Sequence, residues 1–245
     1  MKPIYSACLI VFISAFTWSE SAFGQEPMQW SISPYVWASD TTLDITFRDT
    51  NIGAGDISFG DLLDVLDAAF MVHVEAGRGN WSAFTDITYL STSDTTERQL
   101  ITIDAENKQT FIDAAVTYWP GGVNTPLGIF GGVRYTGFDD RYRFSLGNTE
   151  IGTQQSGDDY YDVLLGLRYT FMLSDRWSIV TRGDLSFGDS EGTYLLRGNF
   201  AYKVGQRQQN VVLFGYQYKT AEFRDGDLTT DFSYKGPMAG FSFRF

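Results

Sequence analysis

The chain has 245 residues, 43% of them hydrophobic and 16% aromatic, and its 30 acidic and 18 basic side chains give a formal net charge of −12. This length suits a single large domain if the chain is all-β. The acidic balance argues against a nucleic-acid partner, which needs a basic surface to neutralise phosphates. Beyond the N-terminal segment no run approaches the roughly 20 apolar residues of a transmembrane helix, which excludes a helical membrane protein.

The first segment has the features of a secretory signal peptide. Lys2 supplies a positive charge, an apolar stretch follows from about Ile4 to Trp18, and Ala22-Phe23-Gly24 places small residues at the −3 and −1 positions of a cleavage site. We therefore expect residues 1–24 to be removed, so that residues 25–245 form the mature domain.

Cys8 is the only cysteine, and it lies before most of the apolar core of that segment. The lipid-modified cysteine of a lipoprotein would follow the apolar core, so Cys8 does not fit that role. The expected mature chain has no cysteine, and it must be stabilised without disulfides.

Apolar and polar residues alternate along most of the mature sequence. The clearest example has one face made of Tyr161, Val163, Leu165, Leu167, Tyr169 and Phe171. The residues between them include Asp162 and Arg168, and successive side chains of a strand point to opposite faces. Similar segments begin near Phe70, Ile112, Trp177, Tyr194 and Val212. Segments of about ten such residues, separated by turns, indicate a transmembrane β-barrel.

A soluble β-sandwich or lipocalin also alternates, but with its apolar face inward. Three features favour the membrane barrel: aromatic residues at the strand ends, both charge signs on the polar face, and a chain that ends inside a strand. The aromatic residues predicted to form interfacial girdles are Trp81, Tyr89, Tyr118, Trp119, Tyr169, Trp177, Tyr194 and Tyr202.

Four short segments predict periplasmic turns, and they lie at residues 77–80, 120–126, 173–176 and 204–208. Four such turns join five outward hairpins, so we predict a single antiparallel barrel of about ten strands with both termini in the periplasm. Eight or twelve strands are the alternatives. Twelve would follow from separate strands at Trp30–Ala38, Leu43–Arg48 and Gln99–Ala105. The predicted outer loops lie near residues 50–67, 93–107, 139–158, 188–191 and 222–235.

The first outer loop contains a segment with helical spacing, Ser58–Asp67. In a helix Leu62, Leu63 and Leu66 share one face while the aspartates point elsewhere. A short amphipathic helix over the barrel mouth or in the headgroup region and an ordinary loop turn are both compatible with this spacing.

The chain ends on an alternating strand, Gly240–Phe245, with aromatic residues at Phe241, Phe243 and Phe245. This ending resembles the C-terminal strand of Gram-negative outer-membrane proteins. The resemblance implies that the barrel-assembly machinery reads this strand during insertion and that the strand closes the barrel against the first one. It also implies an outer-membrane location, reached through the periplasm, and contact with outer-membrane lipid and lipopolysaccharide.

The N-terminal half carries a second resemblance. The segments Trp30–Trp37, Ile57–Leu63 and Glu75–Trp81 look like an uncharacterised family of outer-membrane barrels, in the neighbourhood of the OmpA-like and OmpW-like small barrels. That family brings no established activity. We expect a monomer.

The predicted lumen face carries a nearly balanced set of charges, with one histidine beside them. This set is His73, Glu75, Asp86, Asp113, Arg134, Asp162, Arg168, Arg182, Asp184, Arg197, Lys219 and Arg244. A ladder of ion pairs could fill a narrow barrel and hold its register, or the same charges could form an eyelet that tunes solute passage. Small barrels usually fill their interiors with side chains, which favours the structural interpretation.

Catalysis and metal binding have weak support in the sequence. Omptin proteases use a His–Asp pair and outer-membrane phospholipases a Ser–His arrangement, but no serine motif accompanies His73. Zinc sites need more than a lone histidine. Acidic residues of the outer loops could attract Ca²⁺ or Mg²⁺, but they match no defined binding loop: Asp139, Asp140, Asp158, Asp159, Asp189, Glu191, Asp225 and Asp227. We expect no enzyme activity and no cofactor.

The sequence therefore predicts an outer-membrane barrel that is a structural envelope component or a narrow porin-like passage for small solutes. The alternatives are an adhesin or ligand-binding barrel that acts through its acidic outer loops, and a membrane-embedded hydrolase.

Overall fold

The computed structural model describes residues 27–245, apart from residues 49, 99–100, 148 and 207–208, and the expected signal peptide lies outside this part of the chain. No helix in the described part is long and apolar enough to cross a membrane. The elements in chain order are β1 (Gln29–Trp37), β2 (Asp40–Phe47), β3 (Thr50–Ile57), α1 (Phe59–Asp64), β4 (Leu66–Arg78), β5 (Trp81–Arg98), β6 (Ile101–Tyr118), β7 (Leu127–Leu146), β8 (Thr149–Met172), β9 (Trp177–Gly188), β10 (Gly192–Val204), β11 (Asn210–Asp225) and β12 (Leu228–Arg244).

Ten of these strands close into an antiparallel barrel. Strand β1 pairs with β4 on one side and with β12 on the other, and β4 to β12 follow one another in sequence order. Ile32 faces Val74 of β4 and Phe243 of β12 in the two registers. The remaining hairpin, β2–β3, pairs with the outer half of β12. The predicted ten-strand barrel is confirmed, and the separate strand predicted at Leu43–Arg48 exists outside the barrel proper.

The four predicted periplasmic turns all connect strands at one end of the barrel. The tightest is Gly79-Asn80 between β4 and β5, where Gly79 has a φ of +59°. A residue with a side chain would be strained in that left-handed conformation, which explains the glycine. The segment of residues 120–126 is the longest of these connections, and the Gly122 nitrogen donates to the Trp119 carbonyl at 3.0 Å.

Four of the five predicted outer loops are wrong. Residues 93–107, 139–158 and 222–235 lie largely in strands, and residues 50–67 contain β3, α1 and the start of β4. The segment Gln99–Ala105 is likewise not a separate strand, since residues from 101 onward belong to β6. Strand β8 has 24 residues, whereas a membrane crossing takes only about 9–11. The hairpins therefore continue beyond the membrane as paired strands. Polar side chains on these extensions interrupt the apolar alternation, so the sequence does not show that the strands continue. For example, Thr95 donates to Asp104 across β5 and β6 at 2.8 Å.

The predicted helical segment forms helix α1. The Ser58 side chain accepts from the Asp61 backbone nitrogen, and the Asp61 side chain accepts from the Ser58 nitrogen, which makes a capping box. The Phe59 nitrogen donates to Asp40 at 2.8 Å and so ties the start of α1 to β2. None of the helix residues is buried, and Leu63 remains half-exposed.

The outer surface of the barrel carries an apolar belt. On β8, Leu165 and Leu167 are 47% and 54% exposed. Leu164, which directly precedes Leu165, faces inward and is fully buried. Aromatic pairs border the belt. At the periplasmic side Trp81 packs against Tyr118, with the two rings tilted and their centroids 4.9 Å apart. A surface in contact with water rarely carries so many exposed apolar side chains in one belt, so this belt faces lipid.

Most of the predicted girdle residues lie on this outer surface, but Trp119 does not. Its side chain is buried, and its indole nitrogen donates to Ser82 at 2.9 Å. Tyr118 points outward, so alternation turns the next residue toward the lumen. Trp119 is therefore part of the interior, and its assignment to the girdle is wrong.

The facing of β8 predicts different results for two arginine substitutions. Leu165→Arg places a charge in the middle of the apolar belt and is expected to lower the free energy of unfolding by about 2–4 kcal/mol. Thr170→Arg lies on the lumen face near the periplasmic end and should cost much less. Urea unfolding in detergent, followed by heat-modifiable gel mobility, measures both. Equal losses would contradict the assignment of faces.

Candidate functional site in the barrel lumen

Inward-facing side chains at mid-height of the barrel form one cluster, here called the charged layer. It consists of four carboxylates, four guanidinium groups and one ammonium group: Glu75, Asp86, Asp113, Asp184, Arg134, Arg168, Arg182, Arg197 and Lys219. Eight strands, β4 to β11, each supply at least one of these residues. The period of two places them in the lumen, because each follows an outward-facing residue.

Arg134 lies at the centre of the charged layer and is only 1% exposed. Its Nε and Nη2 donate to the two oxygens of Asp113 at 2.7 and 2.9 Å, and Nη2 also donates to Asp184 at 2.8 Å. Asp113 is the directly opposite residue on the neighbouring strand. This two-pronged, charge-assisted pairing is the strongest geometry available to an arginine and a carboxylate.

Arg182 extends the network across the lumen. Its Nε donates to Asp184 at 2.6 Å and its Nη2 to Asp113 at 2.5 Å. Its Nη1 reaches Asp86 of β5 at 3.4 Å, although β9 and β5 are not adjacent in the sheet. Arg197 of β10 approaches the same Asp86 oxygen at 3.2 Å. These contacts span the interior of the barrel, so they fill it.

A second set of contacts closes the layer on its periplasmic side. Arg168 of β8 donates to Glu75 of β4 across the lumen at 2.8 Å. Ser82 donates to the other Glu75 oxygen at 2.6 Å, and Trp119 donates to Ser82. Glu75 is thus held by an arginine and a hydroxyl, and the indole beneath them separates the layer from the periplasmic turns.

His73 lies between two carboxylates. Its Nδ1 is 3.3 Å from Asp86 and its Nε2 is 3.4 Å from Glu75. A catalytic base must have a nucleophile within hydrogen-bond reach. Neither ring nitrogen is hydrogen-bonded to a hydroxyl in the part of the chain that the structure describes, so this geometry links two carboxylates and positions no nucleophile.

Aromatic rings pack against the arginines within the layer. The Arg168 guanidinium lies 4.0 Å from the centre of the Phe84 ring, and Phe84 meets Phe130 edge-on at 5.3 Å. Leu164 and Ala115 complete this buried cluster. A cation over an aromatic face is stabilised, more so away from water, so these rings both fill space and hold the guanidinium groups.

The outer side of the charged layer is covered by seven aromatic residues, here called the aromatic cap: Trp37, Phe111, Phe138, Tyr160, Phe223, Phe232 and Tyr234. Ring centroids of Phe138 and Phe232 are 5.4 Å apart, and those of Tyr160 and Phe223 are 4.3 Å apart. Each pair joins strands that are not neighbours in the sheet. The cap therefore crosses the lumen as the charged layer does.

The structure brings together ten of the twelve residues of the predicted ladder: the nine of the charged layer and His73. The other two lie apart. Asp162 is buried but accepts hydrogen bonds from Ser186 and Ser190 at 2.9 and 2.6 Å rather than from an arginine. Arg244 is exposed at the periplasmic end.

Sequence reasoning missed two neutral members of the network. The Tyr35 hydroxyl donates to Asp86 at 2.6 Å, and Gln217 accepts from Arg197 at 2.5 Å. The signal for Tyr35 in the sequence is the alternation of strand residues. In the structure its neighbour Val36 is 62% exposed and points to lipid, so Tyr35 points into the lumen. Gln217 occupies the polar face between two tyrosines, but nothing in the sequence says which arginine it meets.

The predicted C-terminal signature lies at the closure of the barrel. Trp30 and Phe245 exchange both backbone hydrogen bonds, at 2.8 and 3.1 Å. Phe243 and Phe245 face outward and are exposed, and Phe241 contacts Phe243 at 4.7 Å between ring centroids. The predicted pairing of the last strand with the first is confirmed.

The outer hairpins carry acidic residues without forming a metal site. No group of three or more potential metal-ligating side chains occurs among residues 27–245 outside the gaps named above. Asp140 has two other carboxylates nearby, those of Asp139 and Asp158. Partial burial and these two carboxylates raise the pKa of Asp140 above its ordinary value.

Solved structures of bacterial outer-membrane barrels align with most of the chain. The outer membrane protease OmpT of Escherichia coli is 10% identical, with 91% of this chain and 99% of OmpT covered and a TM-score of 0.50. Ail, the attachment invasion locus protein of Yersinia pestis, solved with the heparin analogue sucrose octasulfate, is 10% identical (90% and 100% covered, TM-score 0.40). OprG of Pseudomonas aeruginosa is 13% identical (88% and 95% covered, TM-score 0.31).

No protein-family model and no curated protein matches the sequence. At the identities above, the structural likeness concerns the fold alone. The chain has the fold of Gram-negative outer-membrane β-barrels, and with its apolar belt this fold places it in the outer membrane. The predictions of an all-β barrel of this class and of an outer-membrane location are confirmed.

The charged layer predicts a large loss of stability when one partner is removed. Arg134→Met leaves Asp113 and Asp184 buried without the guanidinium they share, and we expect a loss of about 3–5 kcal/mol in the free energy of unfolding. The matched control is Arg143→Met, since Arg143 is exposed and lies 3.7 Å from Glu150. That variant should lose less than about 1 kcal/mol. Urea unfolding of the refolded proteins measures both, and similar small losses would show that the layer is not tightly paired.

Proposed function

We propose that this protein is a non-conducting barrel of the cell envelope, in which the membrane-spanning part anchors β-strands that extend outside the cell. The observation that carries the proposal is the filled lumen. Arg168 and Glu75 meet across it at 2.8 Å, and Phe138 and Phe232 meet across it further out. Side chains at these two levels occupy the path that a solute would take. Of the two roles expected from the sequence, envelope component and porin-like passage, the first is the better supported.

The length of the outer strands supports the anchoring role. On β8 the lipid-facing side chains run from Tyr161 to Phe171, so residues 149–160 extend beyond the belt. Strands β5, β6, β7, β11 and β12 are also longer than a membrane crossing requires. A chain that only had to close a barrel would not need these extensions. We infer that they carry the contacts by which the protein acts.

The position of His73 supports the proposal of a non-catalytic role. Its imidazole is mostly buried among Asp86, Glu75 and the Phe84 ring, the last with centroids 5.4 Å apart. The aromatic cap covers the route from the cell exterior to this histidine. A substrate would have to displace several packed rings, so we propose that the histidine stabilises the charged layer and catalyses no reaction.

The expected partners fit the same proposal. We propose that the apolar belt contacts outer-membrane lipid and lipopolysaccharide, and that the barrel-assembly machinery reads the terminal strand. Because β1 and β12 pair directly, no barrel strand at membrane depth needs a second copy to satisfy its backbone, and we propose a monomer.

Conductance across planar lipid bilayers tests the filled lumen. The wild-type protein, inserted alongside a water-filled porin as the positive control for insertion, is expected to give no stable current steps in concentrated potassium chloride. Insertion is verified independently by protease digestion of the outer hairpins. Reproducible single-channel steps from the wild-type protein would contradict the proposal and restore the porin-like passage.

A second candidate function is the binding of a cationic partner by the outer hairpins. Acidic residues outnumber basic ones by about three to one in residues 40–67, 91–109, 137–160, 188–192 and 220–235. Such a surface attracts cations over a distance set by the salt concentration. Interaction with a basic peptide, rather than with an anionic polymer, is the binding that this surface favours.

Neutralising part of this surface gives the test of the second candidate. The triple variant Asp139→Asn, Asp140→Asn, Asp158→Asn should bind an oligolysine peptide several-fold more weakly than wild type at low salt, with the difference vanishing at high salt. Asp175→Asn, in a periplasmic turn, is the control and should bind as wild type does. Unchanged affinity of the triple variant would remove this candidate.

A further inference from the structure

Lys219 differs from every other cation of the charged layer. It is 4% exposed, and among the residues that the structure describes no carboxylate oxygen lies within 4.0 Å of its Nζ. Its Nζ instead lies 3.6 Å from the centre of the Phe111 ring. The aromatic face stabilises one side of the ammonium group. The ring has no oxygen or nitrogen atom that could accept a hydrogen bond. The three N–H donors of Lys219 therefore need another partner.

The nearby carboxylates of Asp113 and Asp184 are bound by arginines, and neither places an oxygen within 4.0 Å of Lys219 Nζ. Both oxygens of Asp113 accept from Arg134, and one of them also accepts from Arg182. Asp184 likewise accepts from Arg134 through one oxygen and from Arg182 through the other.

A second donor without a partner belongs to Arg134, which is also part of the charged layer. The Nη1 atom of Arg134 is buried and has no hydrogen-bond partner among the described residues. Lys219 lies over Phe111 and Arg134 is bonded to Asp113, and these two residues of β6 are two positions apart on its inward face. Burying a cation without an acceptor is costly, and two such donors near each other are more costly still.

We propose that a single small anion of chloride size binds at Lys219 Nζ and is also bonded by Arg134 Nη1. Its negative charge offsets the one ammonium group that the four carboxylates leave unpaired, and it supplies the acceptor that both donors need. The residual exposure of Lys219 shows that a water-sized space touches its side chain. The site does not depend on whether the barrel conducts.

Bromide replaces chloride with little change in size and scatters X-rays anomalously, so it locates the site directly. Wild-type protein refolded and crystallised in sodium bromide is expected to show an anomalous peak in contact with Lys219 Nζ. Lys219→Met crystals prepared in the same way should lack that peak. An empty difference map at Lys219 in wild-type crystals would overturn the proposal and leave water as the partner.

Stability in solution provides the independent readout. The wild-type protein should unfold at a temperature several degrees higher in sodium chloride or bromide than in sodium gluconate of the same ionic strength, because an anion that binds only the folded state stabilises it. Lys219→Met should lose this difference, whereas Lys235→Met, an exposed lysine of β12, should keep it. Equal melting temperatures of the wild type in the three salts would contradict the site.

Discussion

The pairing of β1 with β12 is the constraint on which the rest of this molecule depends. In the hydrocarbon of a membrane an unpaired backbone N–H or C=O group has no water to bind, so a sheet that crosses it has to close. Trp30 and Phe245 complete that closure with two backbone hydrogen bonds. Ten strands leave an interior of limited width, and this interior has to be filled with side chains or with water.

The side chains fill it in two levels of different chemistry. Charges at mid-height would be costly to bury singly, and they are stable because carboxylates such as Asp113 and Asp86 each serve two or more cations. The aromatic cap covers the outer side of these charges, and ion pairs are stronger where less water surrounds them. This arrangement explains why a chain with a strongly acidic balance has a lumen whose charges nearly cancel: the excess acid lies on the hairpins outside the membrane.

The features predicted correctly from the sequence are those governed by the period of two and by turn chemistry. Tyr161 to Phe171, the four periplasmic turns and the terminal Phe245 are local signals. The outer strand ends were not predictable, because strands such as residues 149–160 of β8 are polar on both faces once they leave the membrane. The partners of Arg134 and Arg182 depend on which strands face each other across the lumen, and the sequence contains no signal for that. Asp162 shows the consequence: its inward facing was predictable, whereas its serine partners were not.

The most direct test of the filled lumen is the reactivity of single cysteines placed inside it. The expected mature chain has no cysteine, so Thr136→Cys above Arg134 and Thr117→Cys near the periplasmic end each provide one inward-facing thiol at a buried position. Thr149→Cys, on an outer hairpin, is the exposed control. A filled lumen predicts that a small charged thiosulfonate reagent leaves both buried cysteines unmodified in liposomes while it modifies the control completely. Modification of the two buried cysteines at the rate of the control would show an open water-filled passage and contradict the account.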